Sequence, residues 1–276
     1  MVYIELISQG TFGEFEYQSM IALLGEIGYE SFVEEENLIK AYIQEDLFDE
    51  QELKQIPLVC VQEHRVSFEW KKVEEQNWNA VWESNYPSVL IDNKCYIRAP
   101  FHEHRDDIEF EIEIEPQMSF GTAHHETTHL ILSQLMKEQL EGKTVLDMGC
   151  GTGVLAILAS MRGAITLDAI DNDEWAYKNS VQNVERNNIT NIRVELGDAT
   201  TIEGRKYDLV IANINRNILL NDMDAYVATI NKDGRLIMSG FYVEDVEAIK
   251  DKAISLGLKF EVYHERNKWA TAIFYK

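Results

Sequence analysis

The stretch T-V-L-D-M-G-C-G-T-G-V-L-A-I-L-A, residues 144–159, constrains the fold of this chain more than any other. An apolar, strand-like run enters Gly149, Gly151 and Gly153, and an apolar helical run leaves at once. Glycines at such a turn let the backbone approach a ligand closely, and the helix start that follows offers unpaired N–H donors. Asp147 precedes the turn. Asp171 closes the next strand-like run, D-A-I-D, 22 residues after Gly149, the spacing at which a carboxylate meets ribose hydroxyls. Counting these two, strand-like runs lie at Thr144–Met148, Leu167–Ile170, Ile192–Leu196, Asp208–Ile211, Leu236–Ser239, Lys259–Tyr263 and Thr271–Phe274. They are separated mostly by amphipathic stretches, with no proline after Pro116. This pattern predicts an α/β domain built on an open, doubly wound, largely parallel sheet.

The chain has 276 residues, which suits two domains of roughly 100–200 residues each. Val2–Ile7 reads as a strand, Phe15–Ile27 as a helix closed by Gly28, and Ser31–Val33 with Leu38–Ile43 as a hairpin around E-E-E-N. Asp49–Gln55 reads as a short helix and Val66–Val73 as a last strand, together a small α+β domain of ferredoxin-like type over residues 1–73. Residues 74–100 form a connector in which Trp78, Trp82 and Tyr86 fall on one helical stripe, read as packing rather than as a ligand box. Residues 101–276 make the larger domain. It opens on I-E-F-E-I-E-I-E, Ile108–Glu115, a half-buried strand expected to turn its four glutamates to water.

Charge narrows the partners. Lysine and arginine number 25 against 48 acidic residues, a net of −23, so the chain lacks the basic footprint that nucleic acid or an anionic membrane requires. Thirteen acidic residues against Lys40 and Lys54 concentrate −11 of that in residues 1–55, which fits a basic protein partner. Cys60, Cys95 and Cys150 lack metal-ligand spacing and are an odd number for a disulfide scaffold. The N-terminus has no signal-peptide pattern and no apolar run approaches the roughly 18 residues of a membrane span, so a cytoplasmic protein is expected.

A second segment, P-Q-M-S-F-G-T-A-H-H-E-T-T-H-L-I-L, contains H-E-T-T-H. His125 and His129 lie one helical turn apart with Glu126 between, the pattern of a zinc hydrolase, although no strong third ligand is evident. The glycine-rich segment stays unexplained in that reading. A binding module with a vestigial cofactor fold is a further alternative, disfavoured because the cofactor segments look intact.

D-M-G-C-G-T-G resembles motif I of the seven-stranded, S-adenosylmethionine-dependent methyltransferases, and D-L-V-I-A-N-I-N (Asp208–Asn215) resembles their motif IV. Read with M-S-F-G-T-A-H-H-E-T-T, the tryptophan-rich N-W connector, S-G-F-Y (239–242) and the terminal K-W-A-T-A-I, residues 74–276 resemble the methyltransferases of ribosomal large-subunit protein eleven. Residues 1–73 match that family only in size, pattern and acidity. Ala123 stands where the family has Gly, and His129 where it commonly has Arg. The resemblance implies S-adenosylmethionine as cofactor, with Thr128, Gly149, Asp171 and Asn213 touching it. Asp147 and Gly151 belong to the same cofactor segment, Asp198 of G-D-A lies near the adenine amine, and Phe120 and Thr122 line a covering loop. Asn213 is the candidate catalytic residue, orienting an amine through its side-chain carbonyl, and His124 or His125 is a candidate aid to deprotonation. The implied substrate is lysine side-chain or N-terminal amines of the free ribosomal protein, with another protein or a small amine as the alternative.

Overall fold

The computed structural model describes residues 3–10, 14–35, 38–63, 65–73, 86–115 and 121–276. Two compact units divide the chain at residues 86 and 87. Trp78, Trp82 and Phe120 lie outside the described residues.

The first unit runs β1 (Tyr3–Gly10), α1 (Glu14–Glu26), β2 (Ser31–Glu35), β3 (Leu38–Gln44), α2 (Glu50–Lys54), α3 (Val59–Gln62) and β4 (Val66–Val73). Its sheet is antiparallel in the order β2-β3-β1-β4. Alternate strand residues Ile4, Leu6, Ile39, Ala41 and Ile43 bury against Met20 and Leu24 of α1 and Leu53 of α2. Gly28, at φ +99°, ends α1, where Tyr29 N–H reaches back to Leu24 O at 3.0 Å. Asp49 caps α2 by accepting from Gln51 N–H.

The second unit begins with a three-stranded sheet, β5 (Val89–Ile91), β6 (Cys95–Arg98) and β7 (Phe110–Glu113). Then come α4 (Glu126–Leu135), β8 (Thr144–Met148), α5 (Val154–Met161), β9 (Thr166–Asp171), α6 (Glu174–Arg186), β10 (Ile192–Leu196), β11 (Tyr207–Asn213) and α7 (Arg216–Thr229). The chain closes with β12 (Ile230–Tyr242), α8 (Val246–Ser255), β13 (Lys259–Arg266) and β14 (Trp269–Tyr275). All seven runs read as strands of the larger domain are strands. Their order is β10-β9-β8-β11-β12-β14-β13, parallel except for β14, which runs antiparallel between β12 and β13. Burial on both faces explains the continuous apolar runs. Val145, Leu167, Leu209, Ile211 and Ile273 face one core with α4 and α5, while Leu146, Met148, Ile170, Val210 and Phe274 face another with α7 and α8. Among the described residues, no helix is long and apolar enough to cross a membrane.

The Ile108–Glu115 strand departs from expectation on its polar face. Ile112 and Ile114 are buried as read, but Glu111, Glu113 and Glu115 do not simply face water. Arg98 pairs with Glu111 at 2.6 Å and Glu113 at 2.8 Å, and Arg186 with Glu113 at 3.3 Å and Glu115 at 2.5 Å. A neighbouring strand and a helix each supply a guanidinium to this edge.

Beside those arginines, α6 and its C-terminal cap carry asparagines four residues apart, Asn179, Asn183 and Asn187. Asn187 Oδ1 accepts from Glu113 N–H, and its Nδ2 donates to Glu113 O. Asn183 Oδ1 accepts from Glu115 N–H at 2.9 Å while its Nδ2 donates to Thr152 O, in the glycine turn, at 3.0 Å. Asn179 Nδ2 donates to Glu115 O at 3.4 Å. Side-chain amides thus take the place of a missing neighbour strand, satisfying backbone groups that burial would otherwise penalise. We expect Asn183→Ala to lower unfolding stability by about 2–4 kcal/mol, because it strands two backbone groups and opens a void. Urea unfolding of the full chain reads this directly, and a loss below about 1 kcal/mol contradicts the bracing role.

Candidate functional site

A cavity of about 970 Å3 opens along the carboxyl edge of the parallel strands, where open α/β sheets bind ligands. Its wall follows the strand order: Asp171 at the end of β9, Gly149 and Gly151 after β8, Asn213 at the end of β11, Gly240 in β12 and Trp269 at the start of β14.

The glycine turn is shaped by backbone demands. Gly149, Gly151 and Gly153 all have positive φ, at +71°, +55° and +79°, a region costly for residues with a Cβ. A Cβ on Gly149 would sit 2.3 Å from Ile214 Cγ2, and one on Gly240 2.2 Å from Ile214 O. The two glycines therefore make room for the Asn213–Asn215 segment.

Asp171 holds this turn by one carboxylate. Its Oδ2 accepts from Gly151 N–H at 2.9 Å and its Oδ1 from Asp173 N–H at 3.0 Å. Asp173, not Asp171, caps α6, accepting from Trp175 and Ala176 N–H. Asp147 lies behind the turn, fully buried. Its Oδ2 accepts from Ala156 N–H at 3.2 Å, and Oδ1 has no partner among the described residues. Burial pushes its carboxyl up to about 7, with the nearby charge of Asp171 adding to the effect.

Asn213 joins strand to cavity. It is buried, and its Nδ2 donates to Thr128 Oγ1 at 3.2 Å, which leaves Oδ1 as a buried acceptor without a partner among the described residues. Thr128 sits inside, behind Asn213, and the cavity is lined by its neighbour Thr127. Asp198 is exposed and caps a short turn by accepting from Thr200 N–H and Oγ1, and it does not line the cavity. Thr122 Oγ1 pairs with His124 Nδ1 at 3.1 Å, and His124 Nε2 bonds Pro87 O at 2.8 Å. Gly121 O accepts from Thr152 Oγ1 at 2.7 Å, joining this loop to the glycine turn. Ala123, at φ +67°, occupies the left-handed region, which gives a physical reason for the glycine its relatives were expected to carry.

The H-E-T-T-H side chains do not converge as metal ligands. His125 caps α4, with Nδ1 accepting from Thr127 N–H at 3.3 Å. Arg266 donates to Glu126 and, at 3.0 Å, to His129 Nε2, while Asn267 Nδ2 donates to Glu126 at 2.5 Å. A guanidinium against His129 and Glu126 opposes a dication there. Trp175, Ile218, Gly240 and Trp269 line the cavity although the motif reading did not assign them to a site. For Gly240 and Trp269 the signal was present in S-G-F-Y and K-W-A-T-A-I.

A family model described as ribosomal protein L11 methyltransferase (PrmA) matches residues 12–276. The chain is 50% identical over 256 residues to a ribosomal protein L11 methyltransferase of Phocaeicola vulgatus, covering 92% of this chain and 91% of that one. It is 44% identical over 269 residues to the Porphyromonas gingivalis protein of the same name, covering 95% and 91%. The chain belongs to the ribosomal protein L11 methyltransferase family. The crystal structure of a ribosomal protein L11 methylase from Lactobacillus delbrueckii subsp. bulgaricus shares the fold, with a TM-score of 0.64 at 24% identity over 68% of this chain and 98% of that one. Membership makes the chain a methyltransferase that uses S-adenosylmethionine.

Asp147 gives this family member a pH signature. Its folded carboxyl titrates near 7 against an ordinary value of 3.8, so the folded state binds the extra proton between those limits. Stability contributed by this group is therefore full at low pH, falls as pH rises from about 4 to 7, and levels off above. Asp147→Asn keeps the acceptor for Ala156 N–H and removes the titration. We expect the wild-type chain to lose about 2–4 kcal/mol more than the variant between pH 4.5 and 8, measured by urea unfolding.

Proposed function

We propose that the chain transfers methyl groups from S-adenosylmethionine to amines of ribosomal protein L11, lysine side chains or the N-terminal amine, acting on the free protein. The supporting observation is Asn213, a residue of the cavity lining: its amide nitrogen is anchored on Thr128, so its carbonyl is left as a buried acceptor without a partner among the described residues. Such an acceptor suits an N–H of a neutral amine and orients the lone pair.

The residues present fit the cofactor. Asp171, on the cavity wall, suits a ribose diol, and the backbone of Gly149 and Gly151 suits close approach of its amino-acid portion. Asp147 and Thr128 support the wall from behind, and Thr122 belongs to the loop that Gly121 O joins to the glycine turn. Bound S-adenosylmethionine supplies a methyl group on a positively charged sulfur. The chain's own residues exclude water, hold the acceptor in line and favour its neutral form, since burial lowers the pKa of an ammonium. No strong base is needed at the site. His125 lies below its ordinary pKa because of burial, so it is neutral at pH 7 and able to accept a proton.

Asp171→Ala removes a charge-assisted hydrogen bond worth about 1.5–3 kcal/mol, so affinity for S-adenosylhomocysteine should fall by roughly one to two decades. Asn213→Ala should keep that affinity within a few-fold and lower kcat by about 100-fold or more. Calorimetry and a radiolabelled transfer assay separate the two effects. Unchanged turnover in Asn213→Ala removes it from catalysis.

The first unit is assigned to substrate recognition. Its charge of −11 over residues 1–55 complements a basic ribosomal protein, and opposite charge speeds encounter more than it tightens the final complex. The same acidity repels exposed RNA, which favours the free protein over the assembled ribosome. Each unit has its own apolar core, so residues 87–276 are expected to fold alone. That fragment should bind S-adenosylhomocysteine normally yet methylate ribosomal protein L11 at least 100-fold more slowly at sub-saturating substrate. Raising salt from about 50 to 500 mM should slow association of the full chain. Equal methylation rates for fragment and full chain would overturn the assignment.

A further inference from the structure

The cavity has an aromatic end, and H-E-T-T-H is what holds it. Trp269 lines the cavity and contacts two rings: His125 edge-on at 4.6 Å between centroids, and Tyr242 at 4.2 Å with planes tilted by 32°. Trp269 leaves a two-residue turn in which Asn267 and Lys268 both adopt positive φ, +47° and +71°, without being glycine. Such a turn is costly by itself and persists because its surroundings fix it. Glu126 binds both Arg266 and Asn267, His129 accepts from Arg266, and Val243 N–H donates to Lys268 O at 2.9 Å. The pattern that resembles a zinc site is thus a latch from α4 onto the β13–β14 hairpin.

Strand order orients this end. Along the edge, Asp171 on β9 and Trp269 on β14 lie on opposite sides of Asn213 on β11. With Asp171 taking the ribose and Asn213 at the methyl group, as proposed above, the Trp269 end is where the acceptor enters.

We infer that Trp269, backed by Tyr242 and His125 and held by the Glu126 latch, is the specificity wall at which the acceptor enters, binding the arriving or already methylated alkylammonium group on its ring face, apart from the Asn213 position where the amine attacks in its neutral form. This inference rests on the proposed amine substrate. An indole attracts a dehydrated cation through its quadrupole, and the wall retains affinity as methyl groups are added because methylation spreads the charge without removing it. His125 presents no competing positive charge, since burial holds it below its ordinary pKa.

The test uses the full chain saturated with S-adenosylhomocysteine. Binding of N-acetyl-trimethyllysine methylamide, and of its uncharged carbon isostere, is measured by NMR titration. The wild-type chain should prefer the charged ligand about 10-fold or more. Trp269→Phe should keep part of that preference, Trp269→Leu should abolish it, and Glu126→Ala should weaken it about 3- to 10-fold. S-adenosylhomocysteine affinity should stay within about 3-fold in all three, which also shows that the variants are folded. Equal binding of the charged ligand and its isostere by the wild-type chain, or full preference in Trp269→Leu, overturns the wall while leaving the amine methyltransferase reading standing. Failure of the wild-type chain to bind S-adenosylhomocysteine at all overturns that reading itself.

Discussion

Gly151 N–H donates to Asp171 across 2.9 Å, and most of the site depends on that bond. It fixes a turn whose three glycines occupy a backbone region with little intrinsic preference for one conformation. Around it, each neighbour adds one constraint: Asp147 holds the start of α5 from below, Thr152 Oγ1 ties in Gly121, and Asn183 grips Thr152 O. Three segments distant in sequence, at Gly121, Asp171 and Asn183, thus meet on one five-residue turn. Preorganisation of this kind matters for methyl transfer, because the reaction asks mainly for alignment and exclusion of water.

Two buried acceptors lie near this turn, and they differ in kind. Asp147 Oδ1 belongs to a carboxyl whose ionised form burial opposes, while Asn213 Oδ1 belongs to a neutral amide. A dry carboxylate beside the acceptor would favour the ammonium, which has no lone pair and cannot attack. The amide offers a hydrogen-bond acceptor without that bias. Placing the amide on the cavity wall and the carboxyl behind the glycine turn suits the amine acceptor proposed above, which attacks in its neutral form.

Much of the larger unit was legible in the sequence because its signals are local. β-rich runs, the central ones apolar on both faces, announce a covered parallel sheet, and a glycine run between strand and helix has few structural meanings. The β2–β3 hairpin, α1 and α2 were legible for the same reason, whereas α3 (Val59–Gln62) was not read from the sequence. The asparagine row on α6 was not, since Asn179, Asn183 and Asn187 read as an ordinary polar helix face. Their partners are backbone groups 31–74 residues away, and no periodicity reports such contacts. The glutamates of β7 failed similarly: alternation shows which side is apolar, but not that Arg98 and Arg186 cover the other.

H-E-T-T-H illustrates why spacing alone underdetermines chemistry. An i, i+4 pair of histidines with a glutamate shares one helix face whatever that face meets. Here the face meets Arg266 and Asn267, so Glu126 binds a cation that is part of the chain, and His129 accepts from the same guanidinium. His129 keeps a polar contact with this hairpin while remaining uncharged, its pKa lowered first by burial and then by Arg266. A second arginine at that position would repel Arg266, so the histidine suits the local pairing in this chain. What the motif secures is the geometry of a strained turn, and through it the orientation of Trp269 at the cavity wall.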